Sequence, residues 1–182
     1  MLNAVGLLEL ASIAKGVEAA DAMLKASGVH LLEARPVCPG KYIILVCGEV
    51  AAVQSSVDAG GNIGKDSVLD EFILPNIHPS VIEAFSCSSP YVEIGALGII
   101  ETFSIASLII AADAAVKAAS VELLEIRTGT GIGGKSFATL TGDVSCVSAA
   151  VEAGAALASE KGMLVEKVII PSPHQNLKGY LY

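Results

Sequence analysis

The chain repeats itself, and that limits its folds more than any other feature. Residues 4–33 (AVGLLELASIAKGVEAADAMLKASGVHLLE) align with residues 96–125 (ALGIIETFSIASLIIAADAAVKAASVELLE) at a constant offset of 92, with sixteen of the thirty positions identical. Beyond them the offset is 94: Pro39-Gly40-Lys41 meets Gly133-Gly134-Lys135, and Gly48-Glu49-Val50 meets Gly142-Asp143-Val144. Two residues have therefore been inserted ahead of Gly134. The closing segments ILPNIH (73–78) and IIPSPH (169–174) correspond as well. Self-similarity at a fixed period means that each copy is one structural unit, so the 182 residues divide into two small domains rather than forming one. We place them at 1–88 and 89–182, joined by a linker near Ser86 to Glu93.

Each copy has a readable element order. Met1 to Ser12 contains a short apolar strand, and Ile13, Val17, Ala20 and Leu24 recur at helical spacing. Val29–Arg35 and Tyr42–Cys47 predict strands on either side of a Pro/Gly loop, followed by a helix over Glu49–Gly60 and a last strand over Ser67–Leu74. The order β-α-β-β-α-β is the ferredoxin-like split unit, an α+β fold whose helices pack on one face of an antiparallel sheet.

Composition narrows the function. The chain is 53% hydrophobic with a mean hydropathy of +0.65. Ala and Gly supply much of that value, and no run reaches the eighteen or so apolar residues that a membrane span needs. The strand-like start carries Glu9 and does not read as a signal peptide, so a soluble cytoplasmic protein without disulfides is expected. A net charge of −8 argues against nucleic acid and anionic membranes as partners. An apolar chain with few charges is expected to hide further surface in an assembly.

Gly129-Thr130-Gly131-Ile132-Gly133-Gly134-Lys135-Ser136 satisfies G-x-x-x-x-G-K-[ST], the phosphate-binding pattern. A phosphate loop works because the chain enters a helix straight after the Lys, turning free N–H groups and the helix dipole on the anion. Here Phe137 to Gly142 alternates like a strand, so the match predicts a glycine loop inside a hairpin and no nucleotide site. Neither a nucleophile setting, nor H-E-x-x-H, nor a paired-acid cleft is present in the sequence, and we read the chain as a non-enzyme.

Four cysteines, at 38, 47, 87 and 146, show no close pairing. Cys47 ends an apolar strand and Cys146 opens a helix, which makes both packed residues; Cys87 lies in the Ser-rich linker. Cys38 stands between Pro36 and Pro39, which stiffen the loop. Taken alone it is either a small passive residue or a metal ligand, with Lys41 near enough in sequence to favour a thiolate. His78 and His174 occupy equivalent repeat positions and His30 alternates on a strand, so all three read as structural.

The repeat, the GDV-type helix start, the DAMLKAS segment and IIPSPH together make the chain resemble bacterial microcompartment shell proteins over nearly its whole length. Two unpermuted copies are similar to the tandem-domain class, in which three subunits form a pseudohexameric trimer. That resemblance implies that the loop between the second and third strands of each copy lines a central pore: Pro36, Val37, Cys38, Pro39 and Gly40 in the first, and the stretch from Thr128 through Thr130, Gly131, Ile132 and Gly133 to Gly134 in the second. It implies tile-edge contacts through Lys25 and Lys117 of the D-A-x-x-K segments, although Asn76 and Ser172 replace the arginine that many single-domain relatives carry near their edge. It also implies a [4Fe-4S] cluster on the threefold axis with Cys38 of each subunit as ligand, since symmetry supplies the thiolates that one chain's spacing does not. The fourth iron would be left to water, a small molecule or a partner. The resulting expectation is a non-enzymatic shell tile in a cytoplasmic compartment, contacting other shell proteins and exchanging electrons or the cluster with an encapsulated or cytoplasmic redox protein. The alternative is a cluster-free pore for small metabolites, gated by the glycine loop.

Overall fold

The computed structural model describes residues 3–85, 93–129 and 131–178, with the side chain of Lys178 left out. The chain separates into two compact units, 1–79 and 80–182. The linker region 86–92, which holds Cys87 and the boundary placed between 88 and 89, lies outside the described residues, as does Thr130.

The first copy runs β1 (Ala4–Leu10), α1 (Ile13–Ala26), β2 (His30–Val37), β3 (Lys41–Gly48), α2 (Val50–Gly64) and β4 (Val68–Pro75), with a 3-10 turn at Lys65–Ser67. A short helix α3 (Pro79–Phe85), which the sequence reading did not anticipate, precedes the second copy. The second copy runs β5 (Ala96–Thr102), α4 (Ile105–Ala118), β6 (Glu122–Thr128), β7 (Ser136–Gly142), α5 (Val144–Glu160) and β8 (Leu164–Ile170), followed by α6 (Gln175–Lys178). Each sheet is antiparallel, in the orders β2-β3-β1-β4 and β6-β7-β5-β8. This is the βαββαβ α+β arrangement, twice.

The same local rules build both copies. Ser12 and Ser104 cap α1 and α4, each hydroxyl accepting a hydrogen bond from the backbone N–H three residues on (Lys15 and Ser107, both 3.3 Å). In the first copy Leu8, Leu10, Ile44 and Val46 pack with Ala19, Met23, Val53 and Val57 of the two helices. The alternate residues Val5, Leu7, Ile43, Leu45 and Cys47 are also fully buried. The unbroken apolar run YIILVC thus belongs to a strand covered on both faces, where alternation is not required. Gly6 and Gly98 let each sheet approach its second helix: a Cβ at either would lie 2.6 Å from a methyl of Val53 or Val151.

Candidate functional site

The hairpin between β2 and β3 is tighter than its Pro/Gly content suggests. Pro36 pairs with Tyr42 and Val37 with Lys41, so these two residues belong to the ladder and only Cys38, Pro39 and Gly40 form the turn. Gly40 donates its N–H to the Val37 carbonyl (3.0 Å) and takes φ +82°, a conformation that costs glycine nothing. Val37 is buried, Cys38 half-buried, and Pro39 and Gly40 exposed. The thiol is therefore carried at the tip of a short, ladder-anchored hairpin and is free of any disulfide.

The corresponding hairpin of the second copy is longer. Thr128 pairs with Ser136, leaving residues 129–135 as the loop. Gly129 donates to the Lys135 carbonyl (3.1 Å) and Lys135 to that of Ile132 (3.3 Å). Gly129, Gly131, Gly133 and Gly134 all have positive φ, and Ile132 is exposed at the tip. The chain continues into strand β7, not a helix, which removes the helix N-terminus that a phosphate loop requires. Lys135 is committed elsewhere: its Nζ lies 3.0 Å from Glu101 Oε1 on β5.

Lys41 is tied in the same way, 3.0 Å from Glu9 Oε1 on β1. Its charge is paired across the sheet rather than left for the Cys38 thiol. This Glu–Lys pair recurs at the loop end of each sheet, and the repeat alignment carried the signal for it, since Glu9 meets Glu101 and Lys41 meets Lys135.

The other cysteines follow the packing expectation. Cys47 is fully buried in β3, and burial pushes its thiol pKa up from 9.0. Cys146 is half-buried in the first turn of α5. Among the described residues no group of three or more His, Cys, Asp or Glu side chains could hold a metal. Among the described residues Cys38 is thus the one thiol carried at a hairpin tip. The histidines are exposed, His174 accepting through Nδ1 from the N–H of Asn176 (3.2 Å).

Lys25 and Lys117 each close an i,i+4 pair, with Asp21 and Asp113 (both 2.6 Å), but in different surroundings. Asp21 and Lys25 are well exposed, whereas the Asp113 side chain is only 8% exposed. The contrast extends over the helix. Ile13, Val17 and Leu24 of α1 and Leu31 of β2 are 46%, 54%, 40% and 44% exposed, while their repeat partners Ile105, Ile109, Val116 and Leu123 are all buried. The sequence reading missed this open apolar face because both copies show the same helical period.

Comparison with known proteins agrees with the fold and the repeat. The BMC domain family matches residues 4–77 and again 96–173. The bacterial microcompartment shell protein PduT of Citrobacter freundii is 46% identical over 177 residues, covering 97% of this chain and 96% of that protein. The shell protein EutM of Escherichia coli is 46% identical over 83 residues, which is 46% of this chain and 84% of EutM. A crystal structure of a microcompartments protein from Desulfitobacterium hafniense DCB superposes with a TM-score of 0.96 at 65% identity, covering 98% of this chain and 99% of that one. A duplicated βαββαβ unit, matched twice by one domain family and once end to end by a shell protein, places this chain in the BMC-domain family of bacterial microcompartment shell proteins, with two copies of the domain in tandem.

Proposed function

We propose that this shell protein closes as a homotrimeric, pseudohexameric tile whose pore gathers one Cys38 from each subunit to hold a [4Fe-4S] cluster. The observation that carries the reading is the asymmetry of the two hairpins: a thiol on a three-residue turn in one copy, a cysteine-free glycine loop in the other. Three thiolates then meet on the axis, not six. The exposed face of α1 supports the trimer, because the same positions in the second copy are buried and a neighbouring subunit would cover them in the first. Tile edges would run through Lys25 and Lys117 to other shell proteins.

When bound, such a cluster supplies one-electron redox chemistry across the shell, or is itself handed to a redox partner. The protein's part is positional. Pairing of Val37 with Lys41 and the Gly40 turn fix where Cys38 stands, and the Glu9–Lys41 pair keeps the neighbouring charge neutralised. Anaerobic reconstitution with iron and sulfide should give a brown trimer with about four irons and an EPR signal after reduction. Cys38→Ser should lose both; colour retained in that variant overturns the assignment.

A second reading rests on the four positive-φ glycines of residues 129–134, which permit alternative loop conformations and a gated pore for small metabolites. It is favoured if iron never binds under reducing, anaerobic conditions while substitutions in this loop change solute flux through assembled shells.

A further inference from the structure

The two copies differ on two surfaces, and in opposite senses. Ile13, Val17 and Leu24 of α1 are open where Ile105, Ile109 and Val116 of α4 are buried. The sheet face turned away from the helices shows the reverse. Gly6 and Gly98 each face the second helix of their copy, so strand alternation points Leu7 and Ile99 to the other side. There the first copy buries Leu7 and Ile43 completely, and Phe72, paired with Leu7, is half-buried. In the second copy Ile99 and Phe137, at the positions of Leu7 and Ile43, are only half-buried. Val168, which pairs with Ile99 in the place of Phe72, is 39% exposed. Ile99 and Ile170 border a buried apolar cluster of Ile94, Leu97 and Leu124. One chain thus carries two open apolar surfaces of different shape, a helix ridge on its first copy and a sheet face on its second.

We propose that these two surfaces meet between subunits: the α1 ridge of one chain, with Ile13, Val17 and Leu24, seats on the outer sheet face of the next, with Ile99, Val168 and Ile170. This joint presupposes the trimer proposed above and names the surface that covers α1. The occupant is a second copy of this chain because each open surface has a covered counterpart in the other copy of the same repeat, so the chain itself carries both halves of the joint. Contact between unlike surfaces is heterologous; it repeats head to tail and closes into a ring when its rotation allows. Packing α1 against α1 would be isologous and would stop at two chains, with no axis on which three Cys38 residues could meet.

Sedimentation velocity on the full-length protein tests both halves of the joint. Val17→Glu and Val168→Glu should each convert the trimer to monomers with unchanged far-UV circular dichroism, both side chains being open enough to accept the charge. Val168→Thr, a β-branched change that a strand accepts, should raise the concentration at which the trimer dissociates severalfold. In an equimolar mixture of the two glutamate variants, the intact sheet face of the Val17→Glu chain meets the intact α1 of the Val168→Glu chain. A one-to-one dimer that neither variant forms alone is then expected. A trimeric Val168→Glu protein beside a monomeric Val17→Glu protein, or a mixture that stays monomeric, overturns the head-to-tail joint and leaves the trimer standing. A wild-type chain that is not a trimer overturns both.

Discussion

Gly16 of α1 and Tyr42 of β3 are fitted to each other: a Cβ on Gly16 would lie 2.4 Å from Tyr42 Cδ1. At the equivalent positions the second copy has Leu108 and Ser136, both fully buried. The large residue has moved from strand to helix, and the space between the two elements is filled either way. Gly16→Ala should therefore destabilise the protein by ~1–3 kcal/mol, the usual range for an overpacked core. Gly16→Leu combined with Tyr42→Ser should recover most of the loss in denaturant unfolding, whereas Gly16→Leu alone should fold poorly.

The swap leaves a trace in the second copy. Ser136 Oγ is buried without a hydrogen-bond partner among the described residues. An unsatisfied buried hydroxyl costs ~1–3 kcal/mol. Ser136→Ala should accordingly be neutral or stabilising, read as a higher denaturant midpoint with an unchanged m-value.

The open face of α1 should behave differently from its buried counterpart. If this face seals the proposed trimer, Val17→Glu should leave far-UV circular dichroism intact while light scattering shows a shift from trimer to monomer. Ile109→Glu places a charge at a fully buried position and should abolish folding. A Val17→Glu protein that stays trimeric removes this face from the subunit interface.

The two aspartate–lysine pairs should likewise separate. Asp21→Ala breaks an exposed pair and should change stability by less than ~0.5 kcal/mol. Asp113→Ala removes a largely buried carboxylate and should cost more, ~1–3 kcal/mol.

The thiols should differ in reactivity and pH response. Burial raises the Cys47 pKa, so the folded state keeps the thiol protonated where the unfolded chain begins to ionise near 9.0. The unfolded state then binds fewer protons, and this contribution to stability is present below that pH and lost as pH rises through the folded pKa. Cys47→Ala should flatten the alkaline fall in stability. In cluster-free protein, a thiol reagent at neutral pH should label Cys38 rapidly and Cys47 only on unfolding, as peptide mapping would show.

Much of this was legible in the residues. The offset of 92 gave the duplication, the helical and strand periods gave the element order, and the strand after Lys135 removed the phosphate loop from consideration. The hairpin boundary was misplaced because Pro36, which lacks an N–H, reads as loop although its carbonyl side and neighbours still join the ladder. Helix α3 escaped notice because seven residues carry too short a period to register. The open sheet face at Ile99 and Val168 required knowing what each strand packs against.

Ile13 and Ile105 mark the division. Each is the isoleucine of the same Ser-Ile-Ala helix start, capped by the same serine, and the sequence alone determined that both begin a helix. Only the tertiary structure decided that one is 46% exposed and the other 4%. Helix formation depends on neighbours three and four residues along the chain, which the repeat preserves, whereas burial depends on surfaces brought together in space, which no local pattern encodes.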